Sequence, residues 1–204
     1  MAADWIIPVD PPGAVHEDHA IIVSDGVIRE VLPAPEARTR HPGARRVELP
    51  GHALIPGLIN LHTHAAMTLM RGLADDRALM DWLQNNIWPV ESRLVSGAFV
   101  RDGTLLACAE MLRGGITCFN DMYFYPAAAA RAALEAGMRA SLGIIVIETP
   151  SAYAADAQDY LSKGLEMRDG LIHEPLLSFC IAPHAPYTVS DKSFERIAVL
   201  QGEL

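Results

Sequence analysis

The spacing of hydrophobic and polar residues changes near Gly57. Before this point the apolar runs are short, and residues 20–32, AIIVSDGVIREVL, contain two of them joined by Ser24-Asp25-Gly26. A polar turn with glycine between two β-rich runs predicts a hairpin. Residues 45–56 predict further short strands, and the proline- and alanine-rich residues 33–44 predict a loop. Residues 1–56 therefore predict a small, incomplete β-sandwich-like module.

From Gly57 onward, apolar strands alternate with helical segments. The predicted strands are apolar throughout, as parallel strands covered on both faces are: residues 58–62, 116–121, 138–147 and 176–183. Helices are predicted within 66–94, interrupted near Pro89, and at 96–113, 126–137, 154–167 and 190–200. Four such β/α units fit either an open doubly wound sheet or half of an eight-fold barrel. The absence of a GxGxxG sequence after any strand argues against a dinucleotide fold.

The composition narrows the class of partner. The net charge of −9 disfavours nucleic acid and anionic membranes and is compatible with a small neutral ligand. No apolar run reaches the roughly 18 residues that a membrane span needs, and the first residues lack the basic start of a signal peptide. The three cysteines, without a CxxC pair, predict buried free thiols. Together these features predict a cytoplasmic protein.

A pair of histidines follows the first apolar strand of the second region. In PGLINLHTHAAMT, residues 56–68, His62 and His64 are two positions apart. Side chains at that spacing on a strand point to the same side, and two imidazoles can share one metal ion at about 2 Å from each nitrogen. A third ligand must come from elsewhere. The alternative is a pair of half-buried histidines that bond to the backbone.

The longer sequence around this pair resembles a known family. PGLINLHTHAAMTLMRGLADD resembles the first-strand signature of the amidohydrolase superfamily, and LMDWLQNNIWPVE with CIAPHAPYTVSD is similar to 5-methylthioadenosine/S-adenosylhomocysteine deaminases. The resemblance implies an α/β fold with the first four units of a (β/α)8 TIM-type barrel, spanning residues 57–204. It also implies one divalent metal, Zn²⁺ or alternatively Fe²⁺, a nucleoside substrate, hydrolytic release of ammonia, and a homo-oligomer at full length.

The resemblance also implies roles for particular residues. His62 and His64 match metal ligands, Glu91 matches the carboxylate that binds the ribose hydroxyls, and His184 matches a histidine that contacts the purine. Trp82 matches a pocket aromatic. A carboxylate has the acceptor lone pairs that two vicinal hydroxyls require. The alternatives are an exposed helix-end acid for Glu91, a structural loop histidine for His184, and core or lid packing for Trp82.

Asp121 ends the second apolar strand, at the position where barrel enzymes keep functional groups. An aspartate there also suits a cap for the turn that follows it. Capping is the favoured interpretation.

The resemblance implies further groups that these 204 residues do not contain. In the family, a fifth-strand histidine with a nearby glutamate, a sixth-strand histidine and an eighth-strand aspartate complete the chemistry. The sequence is therefore expected to be an N-terminal fragment that carries no catalytic residue and is inactive alone, with unpaired strand edges. Two alternatives remain: another amidohydrolase, acting on guanine, cytosine or a triazine, or a non-catalytic remnant that packs on a partner.

Overall fold

A computed structural model describes residues 1–203 and separates the chain at Gly57/Leu58. The first unit has one sheet, in the strand order β3-β2-β1-β4. Its strands are β1 (Ala2–Ile6), β2 (His16–Ser24), β3 (Val27–Pro33) and β4 (Glu48–Leu54). Strands β2 and β3 form the predicted hairpin, in which Asp25 and Gly26 both have positive φ, 54° and 73°. That combination is the turn whose twist matches the hairpin.

The predicted loop of residues 33–44 is wrong, because helix α1 (Ala34–Arg40) occupies most of it. Prolines at a helix start are tolerated, since the first amides have no partner within the helix. Glu36 in the first turn and Arg40 in the last suit the helix dipole. Ala37 packs against Ala20 of the sheet. The described unit is thus one four-stranded sheet covered by one helix, where an incomplete β-sandwich-like module was predicted.

The second unit is an α/β structure built on a parallel sheet. Its strands lie in the order of the chain: β5 (Leu58–Thr63), β6 (Ile116–Asp121), β7 (Arg139–Val146) and β8 (Leu177–Pro183). The four strands confirm the parallel α/β prediction, and their ends lie close to the predicted ones. The longer helices that connect or follow them are α4 (Gly97–Arg113), α5 (Pro126–Ala136), α6 (Ala157–Leu171) and α7 (Asp191–Glu203).

Local signals in the sequence set the ends of these helices. The Ser96 hydroxyl accepts from the Phe99 amide and caps α4, and Gly137, at a φ of 66°, ends α5. The Ser190 hydroxyl accepts from the Ser193 amide at 3.3 Å at the start of α7. Between helices and sheet, Phe119 and Leu142 belong to the main buried cluster. These caps and contacts hold the carboxyl ends of the strands at one edge of the sheet.

The segment between β5 and α4 contains a short 3-10 helix (Ala65–Met70) and a helical run from Leu79 to Leu94. The run comprises α2 (Leu79–Trp82), a π-helical turn (Leu83–Ile87) and α3 (Trp88–Leu94). The predicted interruption near Pro89 is therefore a distortion rather than a break. A π turn directly before proline accommodates a ring that cannot donate an amide hydrogen bond.

Burial is uneven across the sheet. The outer strand β5 exposes Ile59 at 62% and Leu61 at 74%. Strand β8, at the opposite edge, exposes Cys180, whereas Cys108 is buried and Cys118 is half-buried. The prediction of three buried thiols is therefore wrong for Cys180, because nothing within residues 58–203 pairs with the free side of β8. Within residues 1–203 no helix is long and apolar enough to cross a membrane.

Candidate active site

The histidine pair lies at the carboxyl end of β5. His62 is exposed and His64 is half-buried, and their ring centres are 5.2 Å apart at an interplanar angle of 81°. Two imidazoles that share a tetrahedral zinc ion, with nitrogens about 2 Å from the metal, have ring centres about 5 Å apart. The spacing of the pair therefore fits a common cation.

The orientation of His64 is fixed by the backbone of the neighbouring strand. Its Nδ1 lies 2.7 Å from the carbonyl oxygen of Met122. A carbonyl can only accept, so Nδ1 carries the proton and Nε2 keeps its lone pair. Metal-binding histidines are commonly held in this way by a hydrogen bond from the other ring nitrogen. His64 is thus prepared to donate from Nε2.

Asp121 supports the same turn. It is only 3% exposed, and its Oδ1 accepts from the Thr63 hydroxyl at 2.9 Å and from the Ala65 amide at 2.7 Å. Burial raises the pKa of Asp121, while these hydrogen bonds and a positive charge on His64 act against the rise. The predicted cap on the turn after Asp121 is wrong, since this oxygen serves the turn after β5. The Asp121 carboxylate therefore holds Thr63 and Ala65, the residues on either side of His64, by hydrogen bonds.

Glu91 lies on α3 and is half-buried. The Tyr123 hydroxyl donates to its Oε1 at 2.6 Å. Burial raises the pKa of Glu91, and the hydrogen bond from Tyr123 and the charge of His64 partly oppose that rise. The pKa of Tyr123 is raised by burial and then by the negative charge of Glu91, which keeps the phenol protonated as a donor. The alternative of a freely exposed helix-end acid does not describe Glu91.

His184 follows β8 and is half-buried. The Thr188 hydroxyl oxygen lies 2.9 Å from His184 Nδ1 and 3.2 Å from the Ala185 carbonyl oxygen. Neither contact involves Nε2 of His184, the ring nitrogen that remains for a ligand. Burial lowers the pKa of His184, and a positive charge on His64 lowers it further.

Trp82 is half-buried on α2, and its indole nitrogen donates to the Leu73 carbonyl at 3.3 Å. The ring nitrogen of Trp82 therefore bonds to a residue of the same segment, between β5 and α4. This contact supports the packing interpretation of Trp82 over a direct ligand contact through that nitrogen.

The pKa values of three residues described above depend on the charge of His64. Asp121, Glu91 and His184 each respond to a charge on His64. Within residues 1–203, however, no three histidine, cysteine, aspartate or glutamate side chains are grouped to hold a metal. The described residues thus bring together two imidazoles and a surrounding set of polar groups.

Sequence reasoning missed Tyr123 and favoured the wrong role for Asp121. Both residues lie at the end of β6, and the contacts that they make are with residues 32 and 56 positions away. The available signal was their place at the carboxyl end of a strand next to β5.

The chain is similar to known proteins over its whole length. The chain is 49% identical to a 5-methylthioadenosine/S-adenosylhomocysteine deaminase of Saccharophagus degradans, across all 204 residues and 46% of that protein. It is 46% identical to the enzyme of the same name from Teredinibacter turnerae, again over 46% of the relative. The chain therefore spans about half the length of these curated relatives.

Solved structures share the fold. A zinc-bound crystal structure of an adenosine deaminase from Xanthomonas campestris matches 99% of this chain and 46% of its own, with a TM-score of 0.89 and 44% identity. The zinc complex of atrazine chlorohydrolase from Arthrobacter aurescens matches 98% of this chain and 49% of its own, with a TM-score of 0.83 at 20% identity. The latter similarity shows the fold alone.

The amidohydrolase family model matches residues 53–200, which include the whole parallel sheet and every site residue described above. The chain belongs to the amidohydrolase family.

Proposed function

We propose that the natural-length protein is a metal-dependent deaminase. By natural-length we mean the polypeptide that the gene encodes and that contains these residues. Its substrates are 5'-methylthioadenosine and S-adenosylhomocysteine, which it converts to the inosine analogues with release of ammonia. The observation that carries the proposal is the His62 and His64 pair, whose ring centres lie 5.2 Å apart beside Tyr123, the residue that donates to Glu91. The names of the relatives support the substrate class.

His62 and His64 are the proposed metal ligands in this part of the protein. Their ring spacing fits one cation, and the hydrogen bond to Met122 leaves Nε2 of His64 as the donor atom. The zinc in the Xanthomonas structure supports Zn²⁺, with Fe²⁺ as the alternative. When bound, the ion supplies Lewis-acid activation of water.

Glu91 is the proposed anchor for the ribose. With Oε1 engaged by Tyr123, the second oxygen and the remaining lone pairs can accept from the two sugar hydroxyls. His184 is proposed to contact the purine through Nε2, the ring nitrogen that the contact with Thr188 does not use. These two residues bind and orient the substrate and do not themselves take part in the chemical step.

The parallel sheet is proposed to be the first half of an eight-stranded barrel, with the histidine pair at its carboxyl-terminal mouth. The fold similarity to complete amidohydrolases supports this arrangement. We also propose that residues 1–204 alone do not release ammonia from methylthioadenosine, since residues 1–203 hold no group of three metal-capable side chains. Measured turnover that follows this polypeptide through purification would contradict the second proposal.

Substitution of the ribose anchor tests the substrate class. In the natural-length protein, we expect Glu91→Gln to raise the KM for methylthioadenosine roughly tenfold or more, because hydrogen bonds to a charged group are lost. Free adenine has no sugar to anchor, so any turnover of the base should be unaffected. Ammonia release measures both rates.

The matched control is Glu110→Gln, which changes an exposed glutamate paired with Arg71 outside the site. It should leave both substrates unaffected. Equal effects of Glu91→Gln on nucleoside and base would remove Glu91 as the sugar anchor. Absence of ammonia release from any adenine nucleoside by the metal-loaded wild type would overturn the proposed function.

A further inference from the structure

We propose that Tyr123 is a positioning residue, which orients Glu91 for the sugar hydroxyls and sets its distance from the metal-binding histidines. This inference rests on the proposed function, because it concerns how the ribose anchor is held.

The contact between the two side chains is short and sheltered. The Tyr123 hydroxyl lies 2.6 Å from Oε1 of Glu91, and Tyr123 is 5% exposed. A phenol has a single proton, so Tyr123 spends its whole donor capacity on this carboxylate. A half-buried carboxylate without such a partner would be costly to keep ionised. The hydroxyl therefore holds Glu91 in its acceptor form as well as in one orientation.

The ring of Tyr123 is itself held in place. It is part of the main buried cluster, and its centre lies 5.2 Å from that of Phe124 and 6.2 Å from that of His64. A ring packed on these sides has little freedom to follow a moving partner. The hydroxyl is consequently a fixed point against which the Glu91 side chain aligns.

Asp121, the last residue of β6, and the two residues that follow it contact three different parts of the site. The Asp121 carboxylate accepts from the Ala65 amide, the Met122 carbonyl accepts from His64, and the Tyr123 hydroxyl donates to Glu91. Asp121 and Tyr123, the two ends of this segment, are both buried, and close packing limits their movement. The distance from sugar anchor to metal ligand is therefore set by residues 121–123. Loss of the Tyr123 hydroxyl should release Glu91 while leaving His64 in place.

Tyr123→Phe in the metal-loaded natural-length protein tests the proposal. We expect the KM for methylthioadenosine to rise about tenfold, the size of a hydrogen bond to a charged group. The kcat should change by less than about threefold, because His64 remains oriented by Asp121 and Met122. A 2',3'-dideoxy analogue of methylthioadenosine has no hydroxyls for Glu91, so its KM should be the same in both proteins.

Tyr125→Phe is the matched control. The Tyr125 hydroxyl donates to the Ala152 carbonyl at 2.9 Å, away from Glu91. Its removal deletes the same group two residues along the chain and should leave the KM for both substrates unchanged. A Tyr123→Phe variant that behaves like Tyr125→Phe, or one that slows both substrates equally in kcat, would overturn the positioning role.

A second readout separates this inference from the proposed function. In wild type and Tyr123→Phe, the pKa of Glu91 is measured by ¹³C NMR of its carboxyl carbon. The hydrogen bond lowers this pKa, so it should be higher in Tyr123→Phe and unchanged in Tyr125→Phe. This result supports the contact even if the wild type deaminates no nucleoside, and an unchanged pKa in Tyr123→Phe contradicts it. Should Tyr123→Phe fail to fold, adding Glu91→Gln should restore folding, and failure to do so overturns the pairing.

Discussion

The inner and outer strands of the parallel sheet have similar apolar sequences and opposite surroundings. On the inner strand β7, Leu142 is 1% exposed, whereas on the outer strand β5, Leu61 is 74% exposed. Contiguous exposed apolar surface is uncommon on soluble monomers and marks a place where something else packs. Within the described residues, the inner strand β7 is therefore buried and the outer strand β5 leaves apolar side chains exposed.

The candidate site lies on the boundary between these two environments. His64 has its hydrogen bonds on the β6 side, through Met122, and Asp121 clasps the turn that carries it. His62, on the exposed strand, shows no side-chain hydrogen bond within the described residues. Within the described residues, the hydrogen bonds that hold His64 and its turn therefore come from the β6 side. The reason is that β5 is the outer strand of the sheet.

The largest effect that this contrast predicts concerns stability. In the 204-residue chain, Leu142→Ala should lower the free energy of unfolding by about 3 kcal/mol, because it removes buried methyl groups and leaves a cavity. Leu61→Ala, the matched change on the exposed strand, should alter it by less than about 0.5 kcal/mol. Urea denaturation measures both. Equal losses would show that β5 is as well packed as β7 and would break the comparison.

Thiol reactivity gives the next largest difference. Burial raises the pKa of Cys108 to about 11, so little thiolate forms and the reagent has no access. Cys180 is exposed at the outer edge of β8. In the folded 204-residue chain, iodoacetamide at pH 8 should alkylate Cys180 about 100-fold faster than Cys108. Peptide mass spectrometry reads both sites, and comparable rates before unfolding would contradict the burial pattern.

A smaller effect, on zinc affinity, is expected when the Asp121 hydrogen bonds on either side of His64 are removed. Removing a group that orients a metal ligand commonly weakens metal binding by about tenfold or somewhat more. Asp121→Ala in the natural-length protein should therefore bind zinc about tenfold more weakly in a chelator competition. Asp102→Ala, at an exposed position of α4, is the control and should bind as wild type does. Unchanged affinity in Asp121→Ala would show that these hydrogen bonds do not act on the ligand.

The elements that the sequence predicted well were those with local causes. Parallel strands have apolar sequences because both of their faces are covered. Ser96 marks a helix start through its side-chain hydroxyl, and Gly137 marks a helix end through its positive φ. Helix α1 was missed because prolines that begin a helix resemble prolines that end one. The sequence predicted a break near Pro89, where the structure has a π-helical turn. That turn depends on the packing around it, which a local sequence pattern does not encode.

The candidate site was predictable in part for the same reason. The His62 and His64 pair is a local pattern, and its spacing alone predicts a shared direction. The role of Tyr123 depends on where α3 passes the end of β6, a relation between residues 32 positions apart that no local pattern encodes. The exposure of Cys180 likewise depends on which strand lies at the edge of the sheet.

The most direct test of the central claim is an anomalous difference map recorded at the zinc edge from crystals of the natural-length, metal-loaded protein. We expect one strong peak about 2 Å from a ring nitrogen of both His62 and His64. A peak bound elsewhere, or well-ordered imidazoles with no peak between them, would contradict the proposed metal site and the deaminase built on it.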